Sequence, residues 1–150
     1  MLSPILVVCV GNICRSPVGE RLLSAKLKQR DVNIEVASAG ISALVGRPAD
    51  QTAAQVAKDH GILLTGHIAR QFSRKIAADY ALILVMEAGH KREIERTYPE
   101  LSGKIMMFDQ WTGKTGIADP YQRSPEFHRH VFQQIDAAAT AWGDKLANAR

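Results

Sequence analysis

An open α/β fold, four parallel strands with helices on both faces and a tight loop after the first strand, is what this chain predicts. Three observations predict it. The strand candidates are apolar along their length instead of alternating, as in strands buried on both faces. Segments of helical periodicity separate them, which argues for parallel crossovers. The first strand runs into a loop holding Gly11 and Asn12 that ends at Ser16-Pro17, a helix-start pair with Ser as cap and Pro at the first helical position.

Each element follows in order. Residues 5–10, Ile5-Leu6-Val7-Val8-Cys9-Val10, read as strand one. Helix one is expected over 17 to about 30 and strand two over about 34–38. A loop of glycines and small residues covers 39–49. Helix two starts at the Asp50 cap and stops at Gly61, and a short helix fits 73–79. The apolar run 81–86 is strand three; a helix over about 89–97 ends before Pro99; strand four is about 105–108. A long loop through Asp119-Pro120 leads to a final helix from 125 to about 147. There Phe127, Val131, Ile135, Ala138, Trp142 and Leu146 recur every three or four residues on one face.

The chain has 150 residues, 46% hydrophobic and 23% charged, which suits one domain over 1–150 with a real core. No stretch is long enough for a signal h-region or a membrane span, so a cytoplasmic protein without membrane insertion is expected. Two cysteines five apart are no disulfide framework. Net charge is +4, but the basic residues are interleaved with acids, as in Lys91-Arg92-Glu93-Ile94-Glu95-Arg96, a solvated helix face. No aromatic-basic pattern for nucleic acid appears, and the excess suits an anionic substrate. The histidines show no metal spacing: His128 and His130 diverge on a helix, and His60 and His90 read as surface residues. No metal and no cofactor is expected.

The chemistry concentrates in Cys9-Val10-Gly11-Asn12-Ile13-Cys14-Arg15-Ser16. A loop between a strand and a helix N-terminus gathers backbone N–H groups around one small volume, which attracts anions. Val10 through Arg15 would line it. Helix N-termini and cations favour thiolate over thiol, so a cysteine at that edge is placed to be a nucleophile. Arg15 offers a planar fork for two phosphate oxygens. A nucleotide-binding loop would end in Gly-Lys-Ser or Gly-Lys-Thr, which is absent. Asp119, followed by Pro120, is a candidate acid for a leaving alkoxide or phenoxide. Its bland alternative is a simple turn. Tyr121 would supply an aromatic wall. His67 follows a Gly turn; a core histidine and a residue reaching the sheet's carboxyl edge are both open readings.

The loop at 9–17, with Asp119-Pro120-Tyr121, Ser38-Ala39-Gly40 and His67-x-Ala69-Arg70-Gln71, resembles the low-molecular-weight protein tyrosine phosphatases over essentially the whole chain. The resemblance implies Cys9 as nucleophile, Arg15 as phosphate ligand and Asp119 as general acid. It implies that Ser16 stabilises the thiolate and that Asn12, Ser38 and His67 hold the loop in shape. It also implies a four-stranded parallel sheet, in agreement with the residue pattern. Gln122 stands where many members carry a second tyrosine, which thins the aromatic lining beside Tyr121. Leu44 stands where many carry Trp or Tyr and resembles the bacterial branch paired with tyrosine autokinases of exopolysaccharide export. A phosphotyrosine protein, such as an autokinase, is then the expected partner, and a monomer the expected state. Cys14 is either loop packing or a second thiol that traps oxidised Cys9 as a disulfide.

Three rivals are weighed. Arsenate reductases resemble this loop but need further cysteines downstream, and none follows Cys14. Protein-arginine phosphatases resemble it with Thr where Ile13 stands. A non-enzymatic phosphotyrosine-binding module could dispense with Cys9 or Asp119, yet both are present.

Overall fold

The computed structural model describes residues 2–149. The chain runs β1 (Ile5–Cys9), α1 (Arg15–Gln29), β2 (Val36–Gly40), α2 (Gln51–Asp59), α3 (Arg74–Ala78), β3 (Leu82–Val85), α4 (Ala88–Thr97), β4 (Ile105–Met107) and α5 (Pro125–Asn148). The sheet is wholly parallel, in the order β2-β1-β3-β4. The chain moves to one side of β1 to make β2 and to the other side to make β3. The carboxyl ends of β1 and β3 therefore flank a topological switch point, where such sheets bind ligands.

Successive side chains of β1 face opposite sides of the sheet. Ile5, Val7 and Cys9 join a core with Leu23 and Leu27 of α1, Ala57 of α2 and Ile135, Ala139 and Trp142 of α5. Leu6 and Val8 join a second core with Ala77 of α3, Ile94 of α4 and Ile83 and Val85 of β3. Both faces are dry, which is why the strands carry no alternation. Full burial of a Leu or Ile stabilises by about 1.5–3 kcal/mol, so these two clusters dominate the favourable side of folding. The stripe on α5 is seated as expected: Val131, Ile135, Ala138, Trp142 and Leu146 are buried and Phe127 is half-buried. Trp142 also donates its indole N–H to Met107 O at 3.2 Å.

Two expectations need correction. Strand two lies two residues later than the apolar pattern places it, because its end is set by pairing: Cys9 stands opposite Gly40. A Cβ on Gly40 would lie 2.4 Å from Val10 O and 3.0 Å from Asn12 N, so only glycine lets β2 run this close to the loop. The first helix begins at Arg15, with Cys14 at the cap position and no side-chain cap. Ser16 is not the cap but a first-turn residue whose hydroxyl is engaged inside the site. The Asp50 cap is observed, with Oδ2 accepting from Ala53 N at 3.0 Å. A 3-10 turn over Pro99–Lys104, which the periodicity does not announce, precedes β4.

Candidate active site

The loop between β1 and α1 is shaped by what binds its carbonyls. Cys9 O accepts from Ile41 N, Val10 O from Ser42 N, Gly11 O from Leu44 N and Ile13 O from Asp50 N, at 2.8–3.0 Å. Asn12 O accepts from His67 Nε2 at 2.6 Å, so that nitrogen carries the proton. All five carbonyls are thus held from outside the loop. In a trans peptide the next N–H points opposite to the C=O, so the amides of Val10 to Cys14 turn inward. The first-turn amides of α1 and its dipole add to the same volume.

Asn12 is the hub. It is fully buried, with φ +59°, a left-handed conformation that Asn tolerates better than most residues. Its amide donates to Ser16 Oγ at 2.7 Å and to Ser38 Oγ at 3.0 Å, and its Oδ1 accepts from Arg70 N at 2.9 Å. Ser38 Oγ in turn donates a hydrogen bond to Glu20 Oε1 at 2.7 Å. Ser16, already accepting from Asn12, keeps its proton for Cys9 Sγ, 2.9 Å away. The network is polarised so that one hydroxyl donor is aimed at sulfur, an arrangement that suits a thiolate.

Arg15 is 1% exposed and its Nη1 is fully committed, to Glu87 Oε2 at 2.5 Å and Ile117 O at 2.7 Å. Its Nε has no partner among the described residues, and Nη2 lies 3.7 Å from Asp119 Oδ2. The edge left open is the Nε–Nη2 fork, the one that binds a tetrahedral oxyanion in bidentate fashion. A cavity of about 180 Å³ opens there, with Cys9, Val10, Gly11, Ile13, Cys14 and Arg15 as floor and Ser42, Leu44, Asp119 and Tyr121 as walls. Asp119 is exposed at its mouth, and its Oδ1 accepts from Tyr121 N at 3.1 Å. The arrangement fits an in-line displacement at phosphorus: a sulfur below, donors around the equator and a carboxyl above. Among the described residues no group of His, Cys, Asp and Glu side chains could hold a metal ion.

The structure therefore brings together Cys9, Arg15, Asp119, Ser16, Asn12, Ser38, His67, Leu44 and Tyr121. Cys14 lies in the floor with its thiol pushed up by burial and, next, by Asp50. The sequence reading missed Glu87, which orients Arg15, and Glu20, which anchors Ser38. Glu87 had a signal, since it stands just past β3, at the sheet's carboxyl edge. His90 corrects the expectation of a surface residue. It is buried on the inner face of α4 with Ile94, one turn on, and its Nε2 is 3.4 Å from Glu87 Oε2. Burial and then Arg15 push its pKa below the usual range.

The Low molecular weight phosphotyrosine protein phosphatase family matches residues 4–150. The chain is 47% identical to a Klebsiella pneumoniae protein described as a putative low molecular weight protein-tyrosine-phosphatase, covering 97% of this chain and 99% of that one. It is 45% identical to the low molecular weight protein-tyrosine-phosphatase Etp of Escherichia coli K12, covering 97% and 95%. The structure of Vibrio vulnificus Wzb in complex with benzylphosphonate superposes with a TM-score of 0.92 at 46% identity, covering 97% and 99%.

Proposed function

Since the chain belongs to the low molecular weight phosphotyrosine protein phosphatase family and is a protein-tyrosine-phosphatase, we propose the following division of the reaction among its residues. Cys9 Sγ attacks phosphorus opposite the tyrosine oxygen; the S–P bond forms as the P–O bond breaks. The inward amides of Val10 to Cys14 and the Nε–Nη2 edge of Arg15 hold the equatorial oxygens. Asp119, held over the cavity mouth, gives its proton to the departing phenolate. It then takes a proton from the water that hydrolyses the phosphocysteine, which restores the thiolate. Ser16 donates to that thiolate in the resting state and as it departs.

The observation that carries this reading is the Ser16 Oγ···Cys9 Sγ contact of 2.9 Å at the base of a loop whose five carbonyls all face outward. A structural cysteine needs neither. The test is Cys9→Ser. It should lose nearly all turnover of a phosphotyrosine peptide while still binding vanadate, and substantial residual turnover would refute the assignment.

The substrate is an aryl ester. Ile13, Leu44 and Tyr121 give the cavity apolar walls, and Val45, 67% exposed, extends that surface outward. The Wzb relative binds benzylphosphonate, a benzyl group on a phosphonate. A branched apolar Ile13 offers nothing to a planar guanidinium. A tyrosine autokinase of exopolysaccharide or capsule export is the physiological substrate we favour, because Leu44 resembles the branch that serves such kinases. Comparing phosphotyrosine, phosphoserine and phosphoarginine peptides tests the class. A higher kcat/KM on either of the latter two would refute it.

A further inference from the structure

Behind the phosphate loop lies a small space between α1, α2 and α5, lined by Cys14, Arg15, Pro120, Phe132 and the imidazole of His128. The reaction described above makes no use of His128. It is 4% exposed, on the first turn of α5. Its ring and Pro120 line the same space, and interaction with the Pro120 backbone favours the protonated ring against the larger, opposite effect of burial. Its Nε2 stands 4.0 Å from Asp50 Oδ2, a charge contact and not a hydrogen bond.

Both neighbours lead to the site. Pro120 is buried although Asp119 and Tyr121 on either side of it are exposed. The segment is held upstream at Ile117, whose N–H reaches Met86 O at 2.9 Å and whose carbonyl receives Arg15. It is held downstream at Ser124, the cap of α5. Between those anchors its own bonds are local, Tyr121 N to Asp119 Oδ1 and Arg123 N to Pro120 O. The other neighbour, Asp50, caps α2 and donates its own N–H to Ile13 O at 2.8 Å, so it holds the phosphate loop.

We infer that His128 is a positioning residue for the general acid: by holding Pro120 from below while standing against Asp50, it sets where Asp119 sits relative to the phosphate loop. The chemistry suits the task. Burial favours the neutral ring, which has one N–H to give to a carbonyl. Asp50 and Asp119 face it as negative groups, while Arg15 and Cys14 share the cavity wall. An error of 1 Å in placing a catalytic group costs up to about 100-fold in rate.

The inference rests on Asp119 being the acid, and the test separates the two. kcat/KM is measured over aryl phosphates whose phenols run from strongly to weakly acidic. The proteins are wild type, His128→Phe, His128→Met and His128→Gln, each with Asp119 intact and as Asp119→Asn, with melting temperatures alongside. The two donor-free variants should lose about 10- to 100-fold on weakly acidic phenols and little on strongly acidic ones. His128→Gln, which keeps an N–H, should recover much of that. With Asp119→Asn the His128 variants should show no further loss. Should phenylalanine fail to pack, His128→Met gives the same reading. Equal loss across the series, loss that persists with Asp119→Asn, or no loss at all overturns the role of His128 and leaves Asp119 as acid. A flat loss for Asp119→Asn alone overturns the acid assignment, and this inference with it.

Discussion

Replacing Asn12 with alanine is the sharpest probe of what holds the loop. It deletes two donated hydrogen bonds, to Ser16 Oγ and Ser38 Oγ, and one accepted from Arg70 N. At about 1 kcal/mol net each, these amount to about 3 kcal/mol. Alanine must also hold φ at +59°, which costs roughly 1–2 kcal/mol more. The expected loss of about 4–5 kcal/mol is a large part of the roughly 5–15 kcal/mol that stabilises an ordinary domain. Asn12→Gly deletes the same bonds without the steric cost. Even counting glycine's larger unfolded-state entropy, it should lose about 1 kcal/mol less. Urea unfolding followed by tryptophan fluorescence, from Trp111 and Trp142, measures both. Turnover should fall in both variants, because the Ser16 proton is no longer directed at Cys9. A loss below about 1 kcal/mol for Asn12→Ala, or a larger loss for glycine than for alanine, would refute the hub.

Three further outcomes are expected. Chelators should leave activity unchanged, since Arg15, the loop amides and the helix terminus already meet the phosphate charge; activity abolished by EDTA and restored by a divalent ion would contradict this. Burial holds His90 and His128 below the usual imidazole value of ~6.5. As pH falls below that value the unfolded chain takes up protons first, so stability is full above it and declines as pH falls from about 6.5 to 5.5; a double His90→Gln, His128→Gln variant should show a flatter decline in urea titrations. Peroxide should inactivate the wild type reversibly, as Cys9 sulfenic acid condenses with the Cys14 thiol to a disulfide and releases water. Cys14→Ser should recover poorly with thiol, and equal recovery with no Cys9–Cys14 peptide in mass spectra would reduce Cys14 to packing.

The sequence by itself determined the fold class and the heart of the chemistry. Apolar strands without alternation require a sheet covered on both faces, and the structure has one. Cys9 through Ser16 are contiguous, so a strand end, a turn and a helix start were enough to gather a thiol, amides and a guanidinium at one point. Asp119 was legible as a candidate through its proline, and the structure sets it at the cavity mouth. Tertiary structure decided the rest, because those contacts join elements far apart in the chain. Glu87 meets Arg15 only because β3 lies beside β1. Val36–Gly40 is the second strand because pairing sets its register, with Gly40 admitting the close approach of Val10 O. The Ser16 hydroxyl is more useful against sulfur than as a helix cap, and local propensity cannot see that competition. His90 and His128 read as ordinary polar helix residues. Burial pushes both pKa values down and sets each ring beside a carboxylate, since the face a helix turns inward is fixed by what packs on it.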